Sequence, residues 1–464
     1  FWTVTKVVAV SKLHQMDTEE KMCGICGFTG YRQDQKTVIE RMMKAIEHRG
    51  PDSEGSFCRE KITLGFRRLS IIDLEDGQQP MESADGNLHI VFNGEIYDYK
   101  ELRAELETFG ISFCTHSDTE VLVNTIQQYG EKALDKLRGM FGFAVWNEKE
   151  QTLMLARDFF GIKPVYYAEI DGHFVFASEI KSILAFPGYE RKVNQKALEQ
   201  YLSFQYSPLE ETFFKGIYKL MPGHMLLYKN GSYEIKTYFK PKLTPGQWDH
   251  KTNMAQLRSQ LSEILKDSVK HHMLSDVEVG AFLSGGVDSG YLASSSGADQ
   301  ASTVGFDEGD RYSEVNKAAK VAEKVGLKHH VKIISKQEFW DALPDVMYHM
   351  DEPLGDASAV ALYFLSKEAA GHVKVVLSGE GADELFGGYN IYREPEALKK
   401  VAWIPFRLRR AVRKLAAKLP DVKGRDFLIR AGMKVEERFI GNAYIYREKE
   451  KAQILKNKVT GPST

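Results

Sequence analysis

Cysteine is scarce in this 464-residue sequence: Cys23, Cys26, Cys58 and Cys114 are all there is, and all fall in the first quarter. Four cysteines cannot staple a chain of this length, which argues against a secreted disulfide scaffold and fits a reducing, cytoplasmic location. Uninterrupted apolar runs of about 18 residues are missing too, so no membrane-spanning helix and no membrane partner are expected. Neither sign of charge is in excess. Sixty-two Lys and Arg face 64 Asp and Glu, a formal net charge of −2, which excludes nucleic-acid binding as the main business. Internal repeats and low-complexity tracts are absent. What is present, 43% hydrophobic and 27% charged residues, is the mix of an ordinary soluble globular protein, long enough for two or more domains.

The first residues, FWTVTKVVAV, lack an initial Met and the apolar core and cleavage site of a signal peptide. Residues 1–21 are expected to lie outside the native mature chain, as an expression scar or an upstream reading-frame extension, with a short propeptide as the alternative.

Two rhythms follow. From Met22 to about Phe239, short alternating apolar runs (KITLGF, LHIVFNG, FGFAVW, QTLMLA, HFVFAS, HMLLYKNG) sit between Gly, Asn and Asp turns and read as antiparallel strands. Helical segments are expected around 36–48, 98–109 and 118–137, which gives a layered α+β domain. Residues 240–252 (KPKLTPGQWDHKT) read as a linker. Beyond it, a helix from Met254 to Val269 precedes VEVGAFL, STVGF, HVKIIS and VKVVLSG, with helices expected around 287–295, 313–326 and 336–350. Strand–helix alternation of this kind predicts a second, α/β domain over 253–464 built on a parallel sheet.

The second domain carries two loops suited to a nucleotide. SGGVDS (Ser284–Ser289) stands between an apolar strand and a helix, where backbone N–H groups and the helix N-terminus attract phosphate. Gly285 and Gly286 allow close approach, Ser284 and Ser289 donate from hydroxyls, and Asp288 offers a hard oxygen to Mg²⁺. No Walker lysine is present, so the loop suits attack at the α-phosphate with pyrophosphate leaving. SGEGADELFGGY (Ser378–Tyr389) ends another apolar strand. Its Glu380, Asp383 and Glu384 would repel ATP unless a metal lay between. Read blandly, the first loop is a Gly-rich turn and the second a solvated acidic one.

The first domain opens Met22-Cys23-Gly24-Ile25-Cys26-Gly27. With Met22 removed, Cys23 would hold both a thiol nucleophile and, in its α-amine of pKa about 8, a base. The Asn93 amide and Gly94 N–H (in HIVFNGEIYDY) suit an oxyanion. Glu95 and Asp118 (in THSDTE) would meet the ammonium of an amino-acid substrate, and Arg68 (in RRLSIID) its carboxylate.

In order and spacing, these motifs resemble the glutamine-hydrolysing asparagine synthetases. The first domain, with HRGPD (His48–Asp52) and RDFFGIKPVYY (Arg157–Tyr167), is similar to class II glutamine amidotransferases, and the second to pyrophosphate-releasing ATP enzymes. The resemblance implies an αββα N-terminal nucleophile hydrolase sandwich followed by an ATP-pyrophosphatase domain. It implies Mg²⁺ on Asp288 and Asp383, nucleotide contacts at Ser378 and Gly379, an adenosine site lined by Phe282 and Val304, and adenylate chemistry at Glu380. The implied reaction takes glutamine, aspartate and ATP through a glutamyl thioester and β-aspartyl-AMP, with a homodimer as a family expectation. Transfer to another carboxylate, on a peptide or envelope precursor, would use the same motifs. A β-lactam-forming relative, or a non-catalytic nucleotide- or glutamine-binding protein, are further alternatives. The family's EARVPFLD-like stretch and acyl-adenylate lysine are not found before Thr464, so the second domain is expected to be C-terminally incomplete.

Three other features read as structural. Cys23 and Cys26 form a CxxC, with no second pair to complete a metal site, and Cys26 is expected to be a bystander. His271-His272 and His329-His330 lack clear partners and are expected at surfaces or edges. AWIPFRLRRAVRKLAAKL (402–419) is basic and amphipathic, and is expected to pack its apolar face onto the second domain rather than a membrane.

Overall fold

Strand Ile62–Arg68 is buried at every position, and strand Leu88–Ile96 at all but one. Alternating side chains point to opposite faces, so burial on both means that each sheet is covered twice. The computed structural model shows how. It describes residues 5–7, 22–242, 253–307, 314–420, 422–438, 445–446 and 448–455. The chain divides into two compact units, Phe1–Asn194 with Leu209–Gly379, and Gln195–Pro208 with Glu380–Thr464.

In the first unit, two six-stranded antiparallel sheets stack face to face. One holds Gly24–Thr29, Ser53–Cys58, Ile62–Arg68, Tyr166–Ile170, His173–Ala177 and Ile217–Lys219. The other holds Met81–Glu82, Leu88–Ile96, Gly139–Asn147, Thr152–Arg157, His224–Lys229 and Ser232–Thr237. Ile25, Phe66, Phe174 and Phe176 from one sheet meet Val91, Trp146, Leu155 and Leu226 from the other. Helices Tyr99–Thr108 and Asp118–Tyr129 cover one outer face and Gln35–Lys44 the other, which completes an αββα sandwich. The third helix stops earlier than expected. Gly130, at φ +59°, turns it into a 3-10 segment over Gly130–Asp135.

The same unit contains a five-stranded sheet in the order Thr5–Val7, Val375–Ser378, Val279–Phe282, Gln300–Phe306, Lys328–Ile334. The last four run parallel, and Thr5–Val7 pairs antiparallel with Val376–Ser378. Residues 1–4, 8–21 and 243–252 lie outside the described residues, so the expected extension and linker are largely among them. Helix Ser358–Ala370, which precedes Val375–Ser378, was not expected. Its SAVALYFLSKEAA is apolar on too many sides to show a stripe.

In the second unit, helix Phe406–Ala416 packs through Arg409, Arg413 and Ala416, with Gly432 so close that a Cβ there would lie 2.5 Å from the Arg409 carbonyl. The expected burial of its apolar side is not found. Leu408, Val412, Leu415 and Leu419 stand exposed, because helix Arg425–Ala431 meets the opposite side, where the Arg409 guanidinium caps the Ala431 carbonyl at 3.1 Å. Among the described residues, no helix is long and apolar enough to cross a membrane.

Candidate active sites

Cys23 immediately precedes strand Gly24–Thr29 and is half-buried, with its thiol beside the Leu69 backbone: N–H to Sγ is 3.4 Å and Sγ to O is 3.5 Å. Around it a pocket is lined by Met22, Arg68, Asn93, Gly94, Glu95 and Asp118, among others. All six amidase residues singled out from sequence therefore share one cavity. Burial pushes the Cys23 thiol above its ordinary value, opposed by the Leu69 N–H and by the cations Arg68, Lys163 and Arg49.

Each wall of this pocket has a local cause. Asn93 and Gly94 lie near the end of a long strand, and a Cβ on Gly94 would lie 2.1 Å from the Met140 carbonyl, so only glycine fits. The Asn93 amide, turned to satisfy both its ends, donates to the Cys23 carbonyl at 3.0 Å and accepts from Arg49 at 3.3 Å. Asp118 opens a helix capped by Ser117 and accepts the Ile96 N–H at 3.0 Å. Buried Arg68 donates to the carbonyls of Asp73 and Leu74, shaping the 69–79 loop over the pocket. Gly77 leaves it room, since a Cβ there would lie 2.4 Å from an Arg68 nitrogen.

Two residues of this pocket region lay inside quoted motifs without an assigned part. Arg49, in HRGPD, donates to the Cys23 carbonyl at 3.1 Å and to Glu179 at 2.7 Å. Lys163, in RDFFGIKPVYY, is buried and reaches Met22 Sδ at 2.7 Å. Its loop is tied by Asp158, which accepts from the N–H groups of Phe160, Ile162 and Lys163. A lysine inside so apolar a motif is the signal that could have found it.

Behind Arg49 lies a buried charge cluster. His48 Nε2 approaches Glu179 at 2.9 Å, Lys181 Nζ lies 2.5 Å from Glu179, and the same ammonium lies 3.1 Å from Asp351. Burial alone would raise the Glu179 carboxyl, but Arg49, His48 and Lys181 hold it well below the usual range. Burial raises Asp351 instead.

The nucleotide loops of the first unit are equally local in origin. Phe282 and Ser378 end neighbouring parallel strands, so SGGVDS and Ser378–Gly379 share the carboxyl edge of the sheet, where ligands bind in such folds. Ser284 Oγ meets Ser289 Oγ at 2.9 Å and accepts from Gly286 N–H at 3.3 Å. Gly285 has φ +77°, and Gly286 caps helix Val287–Ser296, with Asp288 in its first turn. A Cβ on Gly379 would lie 3.5 Å from Asp288 Cβ and Ser289 N. Phe282 is buried against Ala369, Ala370, Val373 and Val376, and Val304 packs beside Ile334 and Phe364. Their side chains serve the core.

Glu380 and Asp383 belong to the second unit. There Asp383 begins a short helix, Ala382–Phe386, and Gly388 donates to its carbonyl at 2.9 Å. A Cβ on Gly388 would lie 1.8 Å from Asp383 Oδ1. Glu384 accepts from the Tyr389 hydroxyl at 2.8 Å and raises that phenol's pKa. Asp288 and Asp383 are hard oxygen donors, the chemistry Mg²⁺ prefers.

The sequence expectations for cysteine and histidine fare differently. All four cysteines are free. Cys26 is fully buried, its thiol pushed up to about 12 by burial, as suits a bystander. His272 is buried and packs on Tyr97, which corrects its expected surface position, and its ring bonds the Ser268 carbonyl at 2.8 Å. His271 has Asp267 and Arg138 beside it. His329 and His330 do lie on an edge strand, but each has a partner. His329 bonds Thr303 at 2.7 Å, and His330 meets Gln300, Glu368 and His372.

A cysteine-headed αββα sandwich beside a parallel sheet with glycine loops at its carboxyl edge defines an amidotransferase coupled to a nucleotide-using enzyme. Residues 22–239 match the glutamine amidotransferase domain family, and residues 260–454 match the asparagine synthase family. The chain belongs to the glutamine-hydrolysing asparagine synthetases, carbon–nitrogen ligases with glutamine as amido donor. It is 44% identical over 447 residues to asparagine synthetase [glutamine-hydrolyzing] 1 of Bacillus subtilis, covering 93% of this chain and 70% of that one. A putative asparagine synthetase of Mycobacterium bovis is 37% identical, with 94% of this chain and 71% of the relative covered. One from Methanocaldococcus jannaschii is 33% identical, with 87% and 82% covered.

Proposed function

We propose that this chain makes asparagine from aspartate, with glutamine as nitrogen donor and ATP as energy source, through two separate sites divided between residues 22–239 and 253–464. What carries the reading is the convergence of Cys23, Arg68, Asn93, Gly94, Glu95 and Asp118 on one pocket. The Cys23 thiol attacks the glutamine amide carbon, while its own α-amine takes the thiol proton once the Met22–Cys23 bond is cut. The Asn93 amide and Gly94 N–H receive the oxyanion. Arg68 holds the substrate carboxylate, and Glu95 and Asp118 hold its ammonium. Collapse of the adduct expels ammonia and leaves a glutamyl thioester on Cys23, which water hydrolyses to glutamate.

At the second site, Ser284, Gly285, Gly286, Ser289, Ser378 and Gly379 grip the phosphates, and the backbones at Phe282 and Val304 border the adenosine. Asp288 and Asp383 would hold Mg²⁺, which supplies charge neutralisation for the departing pyrophosphate. The aspartate β-carboxylate attacks the α-phosphate, giving β-aspartyl-AMP and pyrophosphate, and Glu380 serves this adenylate. Ammonia then displaces AMP. Ammonia released into water would be protonated, so a shielded passage belongs to the reading, as does a cytoplasmic homodimer. The test is a tracer: amide-¹⁵N glutamine, aspartate, ATP and Mg²⁺, followed by mass spectrometry. Labelled asparagine with equimolar AMP is expected. Labelled ammonia without labelled asparagine would overturn the acceptor assignment.

A further inference from the structure

His330, Glu368 and His372 bring two imidazoles and a carboxylate together with their ligand atoms all within 4.8 Å of one another. None of the three is among the residues assigned to either reaction. His330 sits on the edge strand Lys328–Ile334. Glu368 is in the last turn of helix Ser358–Ala370, and His372 is four residues on, just past the Gly371 cap. We propose that these three side chains form a binding site for a divalent transition-metal ion of the zinc class, clipping the end of the helix to the edge of the sheet.

Several details of the cluster favour a ligand role over a chance meeting of surface residues. The His330 and His372 rings stack face to face, centroids 3.4 Å apart at 17°, so both side chains already share one place and one ring must turn for both lone pairs to meet an ion. Burial, followed by the nearby His372, lowers the His330 pKa and favours its neutral form. His330 Nε2 lies 2.9 Å from the Gln300 side-chain oxygen, and Gln300 in turn donates to Glu278 at 2.6 Å. An amide oxygen can only accept, so Nε2 carries the hydrogen and the Nδ1 lone pair is left to bind. A carbonyl or carboxylate behind the second ring nitrogen is the usual support of a metal-bound histidine. His372 Nε2 stands 3.3 Å from Glu368, so the carboxylate and second imidazole already share one spot, and it offsets the Lys328 charge nearby. His329 takes no part, since alternation along the strand turns it toward Thr303.

Three N and O donors with an open side suit zinc completed by water. Ligands about 2.0–2.2 Å from one ion lie closer together than the present spread, and exposed His372, beyond the helix cap, is the member free to move inward.

The experiment uses the full chain with its accessible thiols blocked by N-ethylmaleimide, so that exposed cysteine cannot compete, and titrates it with Zn²⁺ by calorimetry. One zinc per chain is expected. Affinity should fall at least about tenfold in His330→Ala and in His372→Ala, as when metal ligands lose their support. A double variant that binds zinc as tightly as the parent chain would overturn the proposal, as would a parent chain that binds none. A second measurement needs no variant: Zn²⁺ should protect His330 and His372, and not His116, from diethyl pyrocarbonate, read by peptide mapping. Equal modification with and without zinc would equally overturn it. Both readouts stand whether or not the chain makes asparagine.

Discussion

Arg49 and Cys23 are joined by a 3.1 Å hydrogen bond from the guanidinium Nε to the cysteine carbonyl. The same guanidinium holds Glu179 at 2.7 Å, and Asn93 completes the set by donating to that carbonyl and accepting from Arg49. The Cys23 backbone, the Asn93 amide and a buried carboxylate are thus fixed as one piece. Placement of the thiol therefore depends on residues behind it as much as on those lining the pocket.

Glu179→Gln should destabilise the protein strongly, because it leaves Arg49 buried without a counter-charge and Lys181 with Asp351 alone. Breaking a buried pair in this way costs about 3–5 kcal/mol, and denaturant unfolding of variant and parent at pH 7 would measure it. The pH dependence fixes the sign. The folded state depresses the Glu179 pKa, so its contribution is complete above the unfolded value of about 4.3 and lost as pH falls below it. The gap between variant and parent should narrow below about pH 4. A gap that stays constant down to pH 3 would remove the charge of Glu179 from the explanation.

Release of the residues before Cys23 should switch on glutamine hydrolysis. While the Met22–Cys23 peptide bond stands, the cysteine has no free α-amine to act as base. A positioned base contributes about 10²–10⁴-fold. A form with a protease site engineered ahead of Cys23 should gain glutaminase activity by that order on cleavage, measured as glutamate release. Cys23→Ala in the cleaved form should abolish the gain while asparagine synthesis from ammonium salts continues.

Much of the amidase pocket was legible because its chemistry is concentrated in short motifs. Asn93-Gly94-Glu95 lies near the end of one strand and Arg68 ends another, in the two sheets that face each other across the sandwich. Arg49 and Lys163 were harder to assign. Their part depends on which buried groups they meet after folding, Glu179 and Met22, more than 100 positions away in the chain. Helix Ser358–Ala370 escaped for a different reason: buried on several sides, it carries no apolar stripe. The sequence did mark helix Phe406–Ala416 as amphipathic, but amphipathicity names a face without naming its partner, and here the partner meets the arginine side. His272 shows the converse, a polar residue buried because an aromatic ring and a backbone carbonyl receive it.

In the uncleaved chain, alkylation of Cys23 should respond to pH later than an ordinary thiol. Burial raises its pKa above the usual 9.0, and only the thiolate reacts. Iodoacetamide modification, followed by peptide mapping, should remain slow through pH 8 and accelerate only beyond about pH 9. Cys26, pushed up to about 12, should stay unmodified throughout. Rapid labelling of Cys23 at pH 7 would mean that the surrounding cations outweigh burial.

Two glycines of the nucleotide loops should separate structural from functional need. Gly285 has φ +77°, and a Cβ there would lie 2.6 Å from Lys317 Cβ and 2.7 Å from the Ala318 nitrogen. Gly285→Ala should therefore cost about 1–3 kcal/mol in backbone strain alone, and lose ATP binding along with stability. Gly379 is different. Its added methyl would make ordinary contacts of 3.5 Å with Asp288 and Ser289, so the fold should tolerate Gly379→Ala with a change below about 1 kcal/mol. The same methyl would stand where the two loops face the expected phosphates, and ATP affinity should fall about tenfold or more. Thermal melting with and without ATP would test both variants together. If Gly379→Ala keeps both its melting temperature and its shift with ATP, the phosphates do not pass between these loops.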